Sequence, residues 1–301
     1  MEEGRPSSTA IVAATLRAVH LLWDDSPKIF EDTLALALSG CVDEAALRER
    51  FDALSAEFGA RVGRDLAHAA LNLVRSSIVT RSRYVEDQLV QAIERGVAQY
   101  VILGAGLDSF AYRRPDLADA LRVFEVDHPA TQVWKRARLR ELKVAIPSNL
   151  VFVPVDFEQQ QSLIEGLRNC GYRSDSVGFF SWLGVTMYLT PEAIFDTLRA
   201  VASMAPGTEI IFQYLLPDAL LDDEYRQMRK LVMNAAAARA ETVLTFFEPA
   251  DLAEQVRKLG FAEVWDFGPK EADVRYFANR GDGLRSSADH YMGARVGARS
   301  N

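Results

Sequence analysis

Two short stretches have the residue types and spacing to hold a small ligand. Gly104-Ala105-Gly106 directly follows the apolar run Tyr100-Val101-Ile102-Leu103 and precedes a helical stretch. Glycines at that place let the chain turn sharply and bring backbone N–H groups close to a bound molecule. About 20 residues on, a second strand-like run ends in Glu125-Val126-Asp127, where a carboxylate can accept both hydroxyls of a ribose. Side chains alternate along a strand, so Glu125 and Asp127 share a face. Val155-Asp156-Phe157 ends a third run and offers an acid for an adenine amino group beside an aromatic ring; otherwise Asp156 is an ordinary helix cap. Tyr188 stands just beyond a fourth run, at the carboxyl end where parallel sheets bind ligands. It is a candidate for contacting the molecule acted on, or else a half-buried tyrosine packing the next helix.

The rest of the loop narrows the ligand. It reads Gly104-Ala105-Gly106-Leu107-Asp108-Ser109, with Ser109 where a dinucleotide fingerprint has a third glycine or alanine. The Gly-Lys-Ser/Thr of a triphosphate loop occurs nowhere. A ligand with ribose and adenine but no phosphates fits best, namely S-adenosylmethionine, with its methionine end beside the loop. Methyl transfer from a sulfonium is a direct displacement, helped chiefly by alignment and exclusion of water. A carboxylate acceptor is already ionised at neutral pH and needs orientation, whereas a phenol benefits from a base. His20 lies on the first helix and could face a cleft. His128 suits helix-start packing beside Pro129, and His68 and His290 fall in no catalytic pattern. Arg275 and Tyr276 on a late strand-like run, and Arg113 after the glycine loop, are further candidates for the acceptor side. The basic run Lys135, Arg136, Arg138, Arg140 and Lys143 reads as a solvated helix face.

These positions need a scaffold, and the pattern supplies one. Residues 1–95 read as helix throughout, with a Ser8/Thr9 start, apolar periodicity around Glu44–Leu54, Ala60–Ser76 and Tyr84–Arg95, and a stop at Gly96. From there short apolar runs alternate with helices, the mark of a parallel sheet with crossover connections. The runs are Tyr100–Leu103, Arg122–Asp127, Leu150–Asp156, Val177–Leu183 and Glu209–Tyr214. Thr190-Pro191-Glu192 caps one helix. A helical insertion is expected over residues 217–245, then a hairpin of Ala262–Phe267 with Val274–Ala278, and a mobile Gly- and Ser-rich tail after Arg280. The expectation is an α/β core over 96–301 with a helical cap over 1–95.

Composition excludes several classes. The chain has 34 Lys+Arg against 42 Asp+Glu, a net charge of −8, which is the wrong sign for a nucleic-acid footprint. Its two cysteines, Cys41 and Cys170, make neither a disulfide framework nor a zinc site. No window is apolar enough to span a membrane, and the start lacks a signal-peptide pattern, so a cytoplasmic protein acting on a small molecule is expected.

Taken together, the sequence resembles the leucine carboxyl methyltransferase family, in the bacterial branch that includes O-methyltransferases of polyketide and other secondary metabolism. The resemblance rests on Ser8-Thr9-Ala10 with Arg17-Ala18, on Thr80-Arg81-Ser82-Arg83-Tyr84, and on Gln99 through Ser109. It continues through Phe124-Glu125-Val126-Asp127-His128-Pro129, Gly184-Val185-Thr186-Met187-Tyr188-Leu189-Thr190 and Arg275-Tyr276-Phe277 with Arg280. It implies a class I methyltransferase fold: a seven-stranded, mostly parallel sheet, its last strand antiparallel, under a helical cap. It further implies that Arg81, or neighbouring Arg83, pairs with the cofactor carboxylate, and that Gly104, Ala105 and Gly106 line the methionine end. Asp127 would hold the ribose, with Asp156 and Phe157 flanking the adenine. Leu183 stands where the family often has a glutamate, and Glu158 where the enzyme acting on a protein C-terminal leucine has an arginine. The second departure favours a small-molecule acceptor. Rival readings are an NAD-dependent oxidoreductase and a noncatalytic cofactor-binding protein.

Overall fold

The computed structural model describes residues 8–155, 162–237 and 242–298. Seven strands form one sheet: β1 Gln99–Leu103, β2 Arg122–Asp127, β3 Leu150–Pro154, β4 Phe179–Trp182, β5 Glu209–Tyr214, β6 Phe261–Phe267 and β7 His290–Val296. Their order is β3-β2-β1-β4-β5-β7-β6. β1 to β5 run parallel, and β7 is antiparallel to both β5 and β6. A parallel sheet is covered on both faces, and β1 and β5 are buried at every position. Alternation divides the strand side chains between two cores. Val101, Leu103, Phe180, Trp182 and Phe212 enter one, while Tyr100, Ile102, Phe179 and Ile211 enter the other.

The longer helices are α1 Ser8–Trp23, α2 Glu44–Val62, α3 Arg64–Glu94, α4 Pro129–Glu141, α5 Leu163–Asn169, α6 Pro191–Ala202, α7 Asp223–Ala237 and α8 Pro249–Lys258. The expected stretches at Ala60–Ser76 and Tyr84–Arg95 fall largely in the single helix α3. It buries Val79, Tyr84, Val85 and Leu89 against the second core and stops before Gly96, whose φ of +96° suits glycine. Thr190 caps α6 as its sequence suggests, accepting from Ala193 N. α1 lies across the glycine loop: Ala14, Leu38, Leu107 and Leu139 share a small apolar cluster that Ala10 and Ile11 join.

Three expectations fail here. Residues Asp273–Phe277 form a wide helical turn, not a strand, so Arg275 and Tyr276 do not lie on the sheet. The hairpin partner of β6 comes instead from the tail after Arg280, as β7, inserted between β5 and β6. Gly293 permits this pairing, because a Cβ there would run into the Trp265 indole. The third concerns Lys135, which is buried inside the fold and bonds Glu125 Oε2 at 2.6 Å. Burial pushes the Glu125 carboxyl up to about 7 against the pull of that ammonium. Arg138 is half-buried and donates to Ala37 O, so the basic run is only partly solvated.

Candidate active site

The sheet order reverses between β1 and β4, which makes a crevice at the carboxyl ends of those strands. Gly104 opens the loop after β1 with φ +66°, and a side chain there would run into Val185, beyond β4. Gly104 N and Ala105 N both donate to Val126 O, at 2.8 and 3.1 Å, turning the loop over the end of β2. Gly106 N donates to Asp127 Oδ2 at 2.5 Å, and His128 N to Asp127 Oδ1 at 2.7 Å. Burial pushes the Asp127 carboxyl above its ordinary value, and these two N–H groups pull the other way. The carboxylate thus shapes the glycine loop while standing half-buried at its rim.

Arg81 reaches the same crevice from α3. Its Nη1 lies 3.3 Å from Gln213 Oε1, which also accepts from Gly184 N at 2.9 Å. Gly184, at φ +70°, leaves room for the guanidinium, since a Cβ there would come 2.5 Å from Arg81 Nη1. Gln213 is held in turn by Ser77 Oγ at 3.4 Å. Thr186 Oγ1 donates to the Gln213 carbonyl. Burial pulls the Arg81 pKa below its ordinary value. Among the described residues no carboxylate lies within ion-pair distance of it. Asp289 acts on it from beyond that distance, so the desolvated cation has no direct ion-pair partner, an arrangement that an anionic group of a ligand would relieve. Gln213 went unnoticed in the sequence, although a lone amide near the carboxyl end of an otherwise apolar buried strand was the available signal.

Arg81 and Gly184 border a cavity of about 210 Å³. Its cap wall includes Val12, Leu71, Val74 and Ile78, and α7 contributes Met228, Val232 and Met233. Tyr188 and Tyr225 line it, and its charged residues besides Arg81, among the described residues, are Arg229 and Asp289. Gly104, Gly106 and Asp127 are not among its walls, so this space adjoins the glycine loop's side of the crevice without including it. None of the four histidines lines it. His20 is buried away from it: its Nε2 accepts from Ile29 N at 3.0 Å, which leaves Nδ1 to donate to Asp24 at 2.6 Å. His128 Nδ1 accepts from Ala130 N and caps α4.

The remaining sequence candidates fall elsewhere. Arg83, Arg275 and Tyr276 converge on Asp87, at 2.8, 2.9 and 2.8 Å. They line a different cleft that shares no residue with the cavity. Asp156 and Phe157 lie outside the described residues, as does Glu158.

Arg113 belongs to a buried ionic network that joins the cap to the glycine loop. Arg17 on α1 donates to Asp32 Oδ2 and to Leu107 O, both at 2.7 Å, and Arg113 bonds Ser109 Oγ at 2.8 Å and pairs with Glu86. Burial would raise the Asp32 carboxyl, but Arg17 and Arg113 outweigh it and hold the group below its ordinary value. A depressed native pKa gives stability present above the unfolded value and lost as pH falls through the native one. Asp32→Asn is therefore expected to cost about 3 kcal/mol at neutral pH, as for a broken buried pair. Denaturant melts of both proteins at pH 7 and at about pH 2 check this, and the difference should persist down to about pH 4 and shrink only below the ordinary carboxylate value.

Comparison with known proteins places the chain. The leucine carboxyl methyltransferase family matches residues 10–202, more than half of the sequence. The chain belongs to the leucine carboxyl methyltransferase family. YktD of Bacillus subtilis (strain 168), named as an S-adenosyl-L-methionine-dependent methyltransferase, is 31% identical over 304 residues, covering 98% of this chain and 99% of that one. A similarly named protein of Mycobacterium avium (strain 104) is 28% identical, covering 77% and 73%. Two crystal structures share the fold. One is of a Thermobifida fusca protein named as a methyltransferase (TM-score 0.59, 17% identity, covering 99% and 97%). The other is of a DUF574 family protein from Streptomyces avermitilis (TM-score 0.61, 15% identity, covering 97% and 98%). The fold is that of class I methyltransferases, the protein is an S-adenosylmethionine-dependent methyltransferase, and the dinucleotide reading is not favoured. Among the described residues, no helix is long and apolar enough to cross a membrane.

Proposed function

We propose that this member of the leucine carboxyl methyltransferase family methylates a carboxylate oxygen of a small, largely apolar molecule, of the kind made in secondary metabolism. Arg81 binds the cofactor carboxylate, which supplies the direct ion-pair partner its half-buried guanidinium lacks. Gly104, Ala105 and Gly106 present backbone to the methionine end, and Asp127 accepts the ribose hydroxyls. Asp156 and Phe157 take the adenine. Bound S-adenosylmethionine supplies an electrophilic methyl group on a sulfonium sulfur. Tyr188 orients the acceptor, and the apolar walls from α1, α3 and α7 exclude water from the displacement. Arg83, Arg275 and Tyr276 have no part in this reading, because all three are engaged with Asp87.

The observation that carries the carboxylate is the inventory of the cavity. Arg229 supplies a second cation besides Arg81, its pKa pulled down by burial, and no histidine faces the space. An acid ionises without help above roughly pH 6, so kcat is expected to stay nearly flat from there to pH 9. The test is turnover of matched acids, alcohols and phenols with a methyl-labelled cofactor. A product whose label is released by mild alkali is an ester and supports the reading; an alkali-stable methyl ether, formed with a rate rising steeply with pH, sinks it.

A further inference from the structure

Asp289 is a carboxylate lining the acceptor cavity that makes no direct ion pair among the described residues. It directly precedes β7, whose His290 pairs with Tyr214, so it stands at the carboxyl ends of the parallel strands. Ser287 Oγ donates to its Oδ2 at 2.8 Å and fixes the group's direction. Among the described residues no cation comes within ion-pair distance of it. Arg229, the cavity's other charge on this side, is held by the Leu216 carbonyl and by exposed Asp218. Arg229 and Asp289 are opposite charges lining one cavity: each feels the other's field, and Asp289 also acts on Arg81, but neither cation touches the carboxylate.

A half-buried carboxylate in a cavity lined largely by apolar side chains is poorly served by water and repels an acid brought close to it. An acceptor that is only a hydrocarbon acid would leave that group with the Ser287 hydroxyl as its side-chain donor and with cations that act on it only at a distance. We propose that the acceptor carries a second polar group, a hydrogen-bond donor such as a hydroxyl or a protonated amine, and that Asp289 receives it as the specificity-determining residue of the cavity. This rests on the carboxylate reading above. The acceptor class is then a hydroxy or amino acid with an apolar body, its carboxylate directed to the methyl group and toward Arg229, its donor to Asp289. Hydrogen-bonding sites discriminate strongly against ligands lacking the matching group, because the protein's own polar atom is then left unpaired.

The experiment compares wild-type protein with Asp289→Asn and Asp289→Ala on three matched series: apolar acids bearing a hydroxyl, bearing an amine, and bearing neither. In the wild type the donor-bearing acids are expected to have KM values at least 10-fold lower than the plain acids. Asp289→Ala should remove that gap by raising KM for the donor-bearing acids, with kcat changed less than 3-fold and cofactor affinity unchanged. Asp289→Asn should keep part of the preference for the hydroxyl series and lose it for the amine series, which separates the two donors. Equal KM values for plain and donor-bearing acids in the wild type, or an equal change for all series in the variants, would overturn the proposal. Product analysis keeps the two readings apart: alkali-labile esters with no donor preference reject only the role of Asp289. Alkali-stable ethers whose kcat collapses in Asp289→Ala reject the carboxylate reading and this proposal together.

Discussion

Arg81→Ala is expected to raise the dissociation constant for S-adenosylmethionine about 100-fold, equivalent to about 2.7 kcal/mol. The guanidinium lies on α3 among buried neighbours, with Gln213 as its polar contact, Asp289 acting on it at a distance and no carboxylate within ion-pair distance among the described residues. A ligand carboxylate placed there completes a charge-assisted pair in a site sheltered from water, and truncation of such a pair falls in that range. The ligand-free protein should respond in the opposite sense. Burial outweighs the pull of Asp289 on this cation, so removing it relieves a cost of folding and the apo variant is expected to melt no lower than wild type. Calorimetric titration and thermal melts of the apo protein check both halves. Arg83→Ala is the control. Its side chain is exposed and paired with Asp87, so an affinity loss in that variant alone would move the site to the wrong face of the helix.

Asp127→Ala is expected to weaken the same binding by about 1.5–3 kcal/mol, since two charge-assisted bonds to ribose hydroxyls are lost. The structure adds a second route to that loss, because the Asp127 carboxylate also receives Gly106 N and His128 N. The conservative Asp127→Asn variant keeps one oxygen for the loop and separates the two roles. Wild-type affinity should also fall on acidification. Burial raises the Asp127 pKa above its ordinary value, and protonation removes an acceptor that the ribose hydroxyls need. Titrations at several pH values should show this acid limb in the wild type and its absence in Asp127→Asn. Unchanged affinity in a folded Asp127→Ala protein would remove the residue from the site.

The contrast between Arg81 and Arg83 shows why one line of sequence left the pair unresolved. Two residues apart on a helix is a rotation of about 200°, so the two guanidiniums point to opposite sides. Which side faces the crevice depends on how α3 lies against the sheet, and its own pattern does not state that. The same holds for Arg275 and Tyr276. Val274–Ala278 contains an aromatic and apolar alternation suited to a strand, yet the segment closes on Asp87 of α3 and turns helically instead. β7 escaped notice for the reverse reason. A strand buried between two others lacks a clear polar face, and Gly293 lowers its strand character while making room for Trp265.

Local chemistry was therefore enough for the parallel core and for locating the glycine turn and the acid at the strand ends. The glycine turn after β1 and the acid ending β2 are both set by short-range rules, because backbone freedom and strand alternation act over a few residues. Their one-after-the-other βα context already pointed to a ribose-bearing ligand at the strand ends. The tertiary structure decided what brings distant segments together: Arg81 with Gln213 and Gly184, the Arg17–Asp32–Arg113 network, and the cavity that Asp289 and α7 both line. Those groups are separated by tens to hundreds of positions in the chain, and their meaning comes from burial and charge, which arise only when the cap, the insertion and the last antiparallel strand close over the sheet.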